Sequence, residues 1–300
     1  MDQKNNLEKD EDKTVEFQSL KDLLHRNFAE IENISLGNAS AGIPTSFYDF
    51  DAMTQGLRRG DLIAFAGRPS MGKTSLALQL ARNIAGQNLT VCFFGFDLSK
   101  EELAYRLLGM EVGIDIGRIR TGRFTSEEWE LVHENNKKLQ SLPIFIEDNK
   151  SISIDEIKNR CRNISLTNDQ KNLGLIVIDS YHMIEHSKLD DYQAQLEKNT
   201  RELKSLAREL NVPVLITAPI SRRVEERENC RPMLSDIRDS DVLEDYGDII
   251  VMLYRDEYYD PDTEDRGIAE LIVTTHRNGP VGTVKMLFEP QFGRFRNLAA

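Results

Sequence analysis

Apolar residues recur at three- and four-residue steps from Phe17 through Leu20, Leu24, Phe28 and Ile31 to Ile34, the period of an amphipathic helix whose apolar stripe needs a partner. Residues 1–14 before it are almost all polar or charged and read as a disordered tail. A Gly/Ser-containing loop, Gly37 to Thr45, then separates the helix from the rest of the chain. From Asp61 onward the pattern changes. Short, nearly continuous apolar runs at Leu62–Ala66, Val91–Phe96, Ile144–Ile146, Leu175–Ile178 and Val214–Thr217 alternate with helical stretches. Such runs predict strands buried on both faces, hence an α/β domain with a mainly parallel sheet covered by helices. Three more runs, Ile249–Tyr254, Ala269–Thr274 and Thr283–Phe288, predict successive strands joined by turns such as Asn278-Gly279-Pro280.

The first of these strands leads into Gly67-Arg-Pro-Ser-Met-Gly-Lys-Thr74, which fits the spacing of a phosphate-binding loop between strand and helix. Glycine lets backbone N–H groups approach phosphate oxygens, and the helix that follows adds positive potential at its start. The nucleotide-binding set is Gly67, Ser70, Gly72, Lys73, Thr74 and Ser75, with Lys73 reaching the β and γ oxygens and Thr74 ligating Mg2+. Leu175-Ile-Val-Ile-Asp179 ends a buried strand in a carboxylate, where a second acid on the magnesium side belongs; the bland alternative is a helix cap. The run Val91–Phe96 leads into Asp97, a candidate for orienting the attacking water. Its bland alternative is membership of the helix start at Ser99-Lys-Glu-Glu102.

Composition narrows the class. The chain has 300 residues, three scattered cysteines and a formal net charge of -12. It lacks an apolar run long enough for a membrane helix and a signal-peptide pattern, so a reducing intracellular setting is expected. The acidic balance argues against simple nucleic-acid binding, although a basic channel is compatible with an acidic exterior.

Gly42-Ile-Pro-Thr45, the loop from Gly67 to Thr74, Arg231-Pro-Met-Leu-Ser-Asp-Ile-Arg238, Leu253-Tyr-Arg-Asp-Glu-Tyr258 and Arg277-Asn-Gly-Pro280 together resemble the C-terminal motor domain of the bacterial replicative helicases of DnaB type. The tail Pro261 to Glu270 is similar to the cyanobacterial and plastid branch. The resemblance covers residue 16 to the end, and it implies a RecA-like P-loop NTPase over residues 37–300 preceded by a linker helix over 16–36. It further implies ATP and Mg2+ held between subunits of a homo-hexamer, or of a mixed ring with a related helicase, moving on single-stranded DNA alongside replication proteins. The implied setting is the bacterial cytoplasm, near the nucleoid, or the plastid stroma, with no membrane.

On that resemblance Arg277 falls on an arginine finger acting on a neighbour's γ-phosphate; read in isolation it is a surface charge beside a turn. Arg222, Arg223, Arg227 and Arg238 fall on stretches that line a DNA channel, against the alternative of solvated mixed-charge loops. His182 is either a γ-phosphate sensor or a strand-end histidine.

Five positions depart from the family pattern: Asp97 replaces a glutamate, Ser180-Tyr-His182 follows Asp179, Pro219 replaces a glutamine, Thr275 a lysine, and Asp241 a glycine of the DNA-gripping loop. The collar domain that usually precedes the linker is also not recognised in the residues before Phe17, which puts primase recruitment through it in question. The leading expectation is an ATP-dependent helicase or translocase. The rival is a divergent paralogue that binds ATP and joins or regulates a helicase ring with little unwinding.

Overall fold

A computed structural model describes residues 17–167, 172–184, 192–238 and 240–298. The expected tail over residues 1–15 lies outside them. The chain divides into two units, Met1–Ala41 and Gly42–Ala300.

In the first unit the amphipathic pattern forms α1 (Leu20–Ser35), which Ser19 opens by accepting the Asp22 N–H on its hydroxyl. Leu20, Leu24, Phe28 and Ile31 lie along one stripe of this helix and are all exposed.

The second unit is built on a sheet whose strands are β1 (Leu62–Gly67), β2 (Thr90–Gly95), β3 (Ile144–Glu147), β4 (Leu173–Asp179), β5 (Val214–Pro219), β6 (Ile249–Tyr254), β7 (Ile268–His276), β8 (Gly282–Glu289) and β9 (Arg294–Asn297). Their spatial order is β3-β2-β4-β5-β1-β6-β7-β8-β9. Strands β3 through β6 run parallel, and β7, β8 and β9 add antiparallel neighbours at one side. The helices are α2 (Tyr48–Thr54), α3 (Lys73–Ala85), α4 (Lys100–Val112), α5 (Ile116–Thr121), α6 (Ser126–Gln140), α7 (Ile154–Thr167), α8 (Tyr192–Leu210) and α9 (Ser240–Tyr246).

The continuous apolar runs follow from burial on both faces. Ile63, Phe65, Phe93, Val177 and Leu215 point into one core with Leu76, Leu80 and Ile84 of α3. Their neighbours Leu62, Ala64, Phe94, Ile178 and Ile216 point into the other, with Ile157 of α7, Leu203 and Leu206 of α8 and Leu243 of α9. Alternate residues thus serve opposite cores, so the central strands read as nearly continuous apolar runs, with Thr217 of β5 the buried polar exception within one of them. All eight expected strands form. Strand β9 is additional: four residues containing two arginines, Arg294-Phe-Arg-Asn297, carry too little apolar pattern to stand out, and pairing with β8 makes them a strand.

Candidate nucleotide site and nucleic-acid surface

Strand β1 delivers the chain to Gly67, and α3 begins at Lys73, so the loop between them lies at the carboxyl end of the parallel strands. Gly72 has φ 99°, and a Cβ there would stand 2.9 Å from the Phe295 ring; conformation and space both demand glycine. Ser70 is also left-handed, with φ 67°. Its carbonyl is pinned by Arg255, whose Nη1 donates to it at 3.0 Å. Arg255 is itself buried, paired with Glu257 and stacked over Phe288 at 4.7 Å. In the sequence Arg255 is one letter of a motif with no role attached. Its only local signal, an arginine just beyond a buried strand, does not point to the phosphate loop.

Lys73 curls over the loop and donates to the carbonyls of Gly67 at 2.8 Å and Arg68 at 3.0 Å. Burial pushes the pKa of its ammonium down to about 8, against the pull of Asp179 and Asp97, which favour the charged form. The next residue, Thr74, hydrogen-bonds the Asp179 carboxylate. Asp179 is buried at the end of β4 and also accepts from the Thr217 hydroxyl of β5 at 2.5 Å. Burial raises its pKa above the ordinary carboxylate range, while the Thr217 and Thr74 hydroxyls oppose the shift by binding the anion. Ser75 is buried one residue further along, its hydroxyl beside Gly293.

Neither acid caps the element that follows it. Helix α4 is capped by Ser99, whose hydroxyl accepts the Glu102 N–H, so Asp97 is not its cap. Asp97 is exposed beyond β2, whose end is tied to β4 by the Phe96 N–H donating to the Asp179 carbonyl at 2.7 Å. The short 3-10 turn after β4, Tyr181–Met183, starts at Ser180 rather than at Asp179. His182 lies on that turn, its ring edge-on to Tyr181 with centroids 4.1 Å apart.

A hydroxyl and a carboxylate in contact at the mouth of a phosphate loop are hard oxygen donors. That set suits Mg2+, which usually takes one or two protein oxygens and completes its shell with phosphate oxygens and water. Among the described residues no group of three or more His, Cys, Asp or Glu forms a metal cage, so Thr74 and Asp179 would hold the ion together with the nucleotide.

Arg277 is not part of this cluster. The antiparallel pairing of β7 on β6 sets His276 opposite Ile249, the first residue of β6, whereas the phosphate loop follows the last residue of β1. The two therefore sit at opposite ends of the sheet, separated by a strand length of roughly 20 Å for six residues. Here the Arg277 guanidinium donates to the carbonyls of Gly247 at 2.8 Å, Asp245 at 2.5 Å and Glu244 at 3.2 Å, at the end of α9.

The candidate DNA-contacting segments adjoin the nucleotide end of the sheet. Arg222 and Arg223 are exposed on a 3-10 turn just after β5, and a bridge between Ile220 and Ile237 brings exposed Arg238 alongside. Arg227 departs from expectation: its guanidinium donates to both oxygens of Asp236 and to the Arg231 carbonyl. It ties the two segments together, because Asp236 is buried and requires a cationic partner. Arg68 of the phosphate loop bonds Glu225 of the same turn at 2.9 Å, a direct link between the two loops. Asp241 lies in the first turn of α9, where the helix start favours an acidic side chain.

Residues 42–297 match the family described as DnaB-like helicase C terminal domain. The chain belongs to that family. It is 40% identical over 289 residues to the replicative DNA helicase DnaC of Bacillus subtilis, covering 95% of this chain and 63% of the relative. The replicative DNA helicase DnaB of a Nostoc strain is 46% identical over 233 residues, which is 77% of this chain and 26% of that protein. The solved structure of a DnaB-like replicative helicase superimposes with a TM-score of 0.85 at 35% identity, covering 95% of this chain and 68% of that one. The RecA-like fold is thereby established for the DnaB-like domain described here. The chain spans less than two thirds of the length of the Bacillus relative. Among the described residues no helix is long and apolar enough to cross a membrane.

Proposed function

We propose that this chain is the motor of a replicative-type DNA helicase: it hydrolyses ATP between neighbouring copies in a homo-hexameric ring and uses the cycle to move on single-stranded DNA alongside replication proteins. One observation carries the reading. Lys73 and Thr74 of the phosphate loop meet Asp179 at the carboxyl edge of the sheet, while Arg277, the expected finger, stands at the opposite edge of the same sheet.

Within one copy the finger has no path to its own phosphates, so only a second copy can bring them together. In the assembled site the loop N–H groups and Lys73 bind the triphosphate, and Thr74 and Asp179 hold Mg2+ beside it. Bound Mg2+ neutralises charge on the phosphate oxygens. Asp97, exposed at the end of β2, orients water, and His182 on the turn after Asp179 senses the γ-phosphate. The partner's arginine stabilises the charge of the transferring phosphoryl group, an effect worth about a thousand-fold or more. Arg222, Arg223 and Arg238 supply cationic contacts to the strand, with Arg227 shaping their loops.

The test is the ATPase rate with and without single-stranded DNA on a sample of known oligomeric mass, for the parent chain and for Lys73→Ala and Arg277→Ala. DNA-stimulated turnover by a hexamer, lost with nucleotide binding in Lys73→Ala and without it in Arg277→Ala, is expected. A nucleotide-bound assembly with no turnover would instead favour the regulatory paralogue.

A further inference from the structure

Helix α8 carries Arg201, Lys204, Ser205 and Arg208 at steps of three, one and three residues, which puts them on one stripe. With Asp245 and Tyr246 from the end of α9, and with Arg277, they line a cavity of about 390 Å³ at the amino-terminal edge of the sheet. Lys204 is already neutralised: its ammonium donates to the Asp248 carboxylate at 2.5 Å and to the Gly60 carbonyl at 2.8 Å. Arg201 and Arg208 are exposed, and among the described residues neither forms an ion pair. The lining thus holds three guanidinium groups and one carboxylate, Asp245, with Asp61 near Arg208 and Glu202 near Arg201 offsetting part of the positive charge, in a protein whose net charge is -12. Clustered like charge in one concavity focuses the field and raises the local concentration of anionic groups. Strand β7 offers no second cation of fixed charge beside Arg277, because Thr275 and His276 precede it.

We propose that Arg201 and Arg208 form, with Arg277, a single oligophosphate-binding surface, whose occupant is the triphosphate seated on the phosphate loop of a second copy of this chain. The inference deepens the proposed motor reading and rests on it: the finger acts as one of three arginines. Arg277 is hydrogen-bonded to the α9 carbonyls, and the two α8 arginines add positive potential that stabilises the charge developing on the neighbouring phosphates during transfer. A charge-assisted hydrogen bond contributes about 1.5–3 kcal/mol, or roughly ten- to a hundred-fold in rate where it acts on the transition state.

The experiment compares the parent chain with Arg201→Gln, Arg208→Gln, the double variant and Arg277→Ala, by steady-state ATPase, nucleotide titration and oligomeric mass. The double variant is expected to lose about tenfold or more in kcat, with ATP affinity within about twofold of the parent. Mixing it with Lys73→Ala copies, which keep the arginine surface but lack a working loop, is expected to restore turnover, because each copy then supplies what the other lacks. Arg201→Lys and Arg208→Lys, which keep the charge, are expected to retain at least about half of the rate. Equal loss in the Lys and Gln variants would show a packing role on α8 and overturn the proposal. So would a parent-like kcat in the double variant; if Arg277→Ala were then still impaired, the motor reading would survive alone. A parent-like rate in Arg277→Ala as well would sink the reading itself. Saturable binding of inorganic tripolyphosphate to monomeric Lys73→Ala protein, abolished in the double variant, would identify a free oligophosphate as the occupant and overturn the assignment to a second copy.

Discussion

The Thr217 hydroxyl of β5 donates to the Asp179 carboxylate of β4, and this contact favours the ionised form of the metal-side acid against the opposing effect of burial. Thr217→Val keeps the shape and removes the donor. The Asp179 pKa, already raised, then rises further, and the ionised carboxylate that Mg2+ needs becomes scarcer at a given pH. The expected result is a roughly tenfold higher Mg2+ concentration for half-maximal ATPase, consistent with losing a hydrogen bond to a charged group. Raising the pH is expected to recover part of the loss, and Thr217→Ser to recover most of it. A magnesium titration at two pH values checks both.

Lys73 titrates near 8 because it is buried, so its positive charge is lost within an accessible range. A triphosphate favours the charged form, and binding above pH 8 therefore takes up a proton. Nucleotide affinity is expected to be flat below about pH 8 and to fall as pH rises beyond it, approaching tenfold per unit. Lys73→Arg, which stays protonated, is expected to flatten the profile. Fluorescent-nucleotide titrations from about pH 7 to about pH 9.5 measure the slope.

Arg255 acts on the phosphate loop through the Ser70 carbonyl. Arg255→Met retains the packing on Phe288 and removes the donors. The loop is expected to loosen, weakening ATP affinity about tenfold, in line with a lost charged hydrogen bond of about 1.5 kcal/mol. Arg255→Lys is expected to restore part of it. Equilibrium nucleotide binding, with thermal unfolding as the control for fold, reads the effect.

Asp61 lies at the base of the sheet beside Asp248, and burial together with that neighbour pushes the pKa of its carboxyl up to about 6. Below about pH 4 the group is protonated whether the chain is folded or not; between about 4 and 6 only the unfolded chain releases the proton, so stability falls, and above about 6 the full cost is present. Asp61→Asn removes an ionisation that costs about 1–3 kcal/mol and is expected to raise stability at about pH 7.5 while flattening its decline between about pH 4 and 6. Denaturant titrations across that range would show the change; an unaltered slope would rule out Asp61 as its source.

What the chain order alone determined was everything held by contiguous residues. The amphipathic stripe of α1, the eight apolar strands and the loop from Gly67 to Thr74 each depend on neighbours a few positions apart, and their period or spacing states the outcome before folding. The family resemblance extended this to Arg277, because a motif match carries a role without needing its geometry.

Tertiary structure decided whatever joins distant segments. Placing β5 between β4 and β1 brought Thr217 to Asp179, and the register of β6 delivered Arg255 under Ser70. Pairing Asp236 with Arg227 tied the two candidate DNA-contacting segments together. The antiparallel turn of β7 set Arg277 at the far edge of the sheet from the loop it is expected to serve, beside arginines of α8 that come much earlier in the chain. Strand order and direction follow from how two cores are filled at once, and no local period in the sequence encodes which strand becomes whose neighbour.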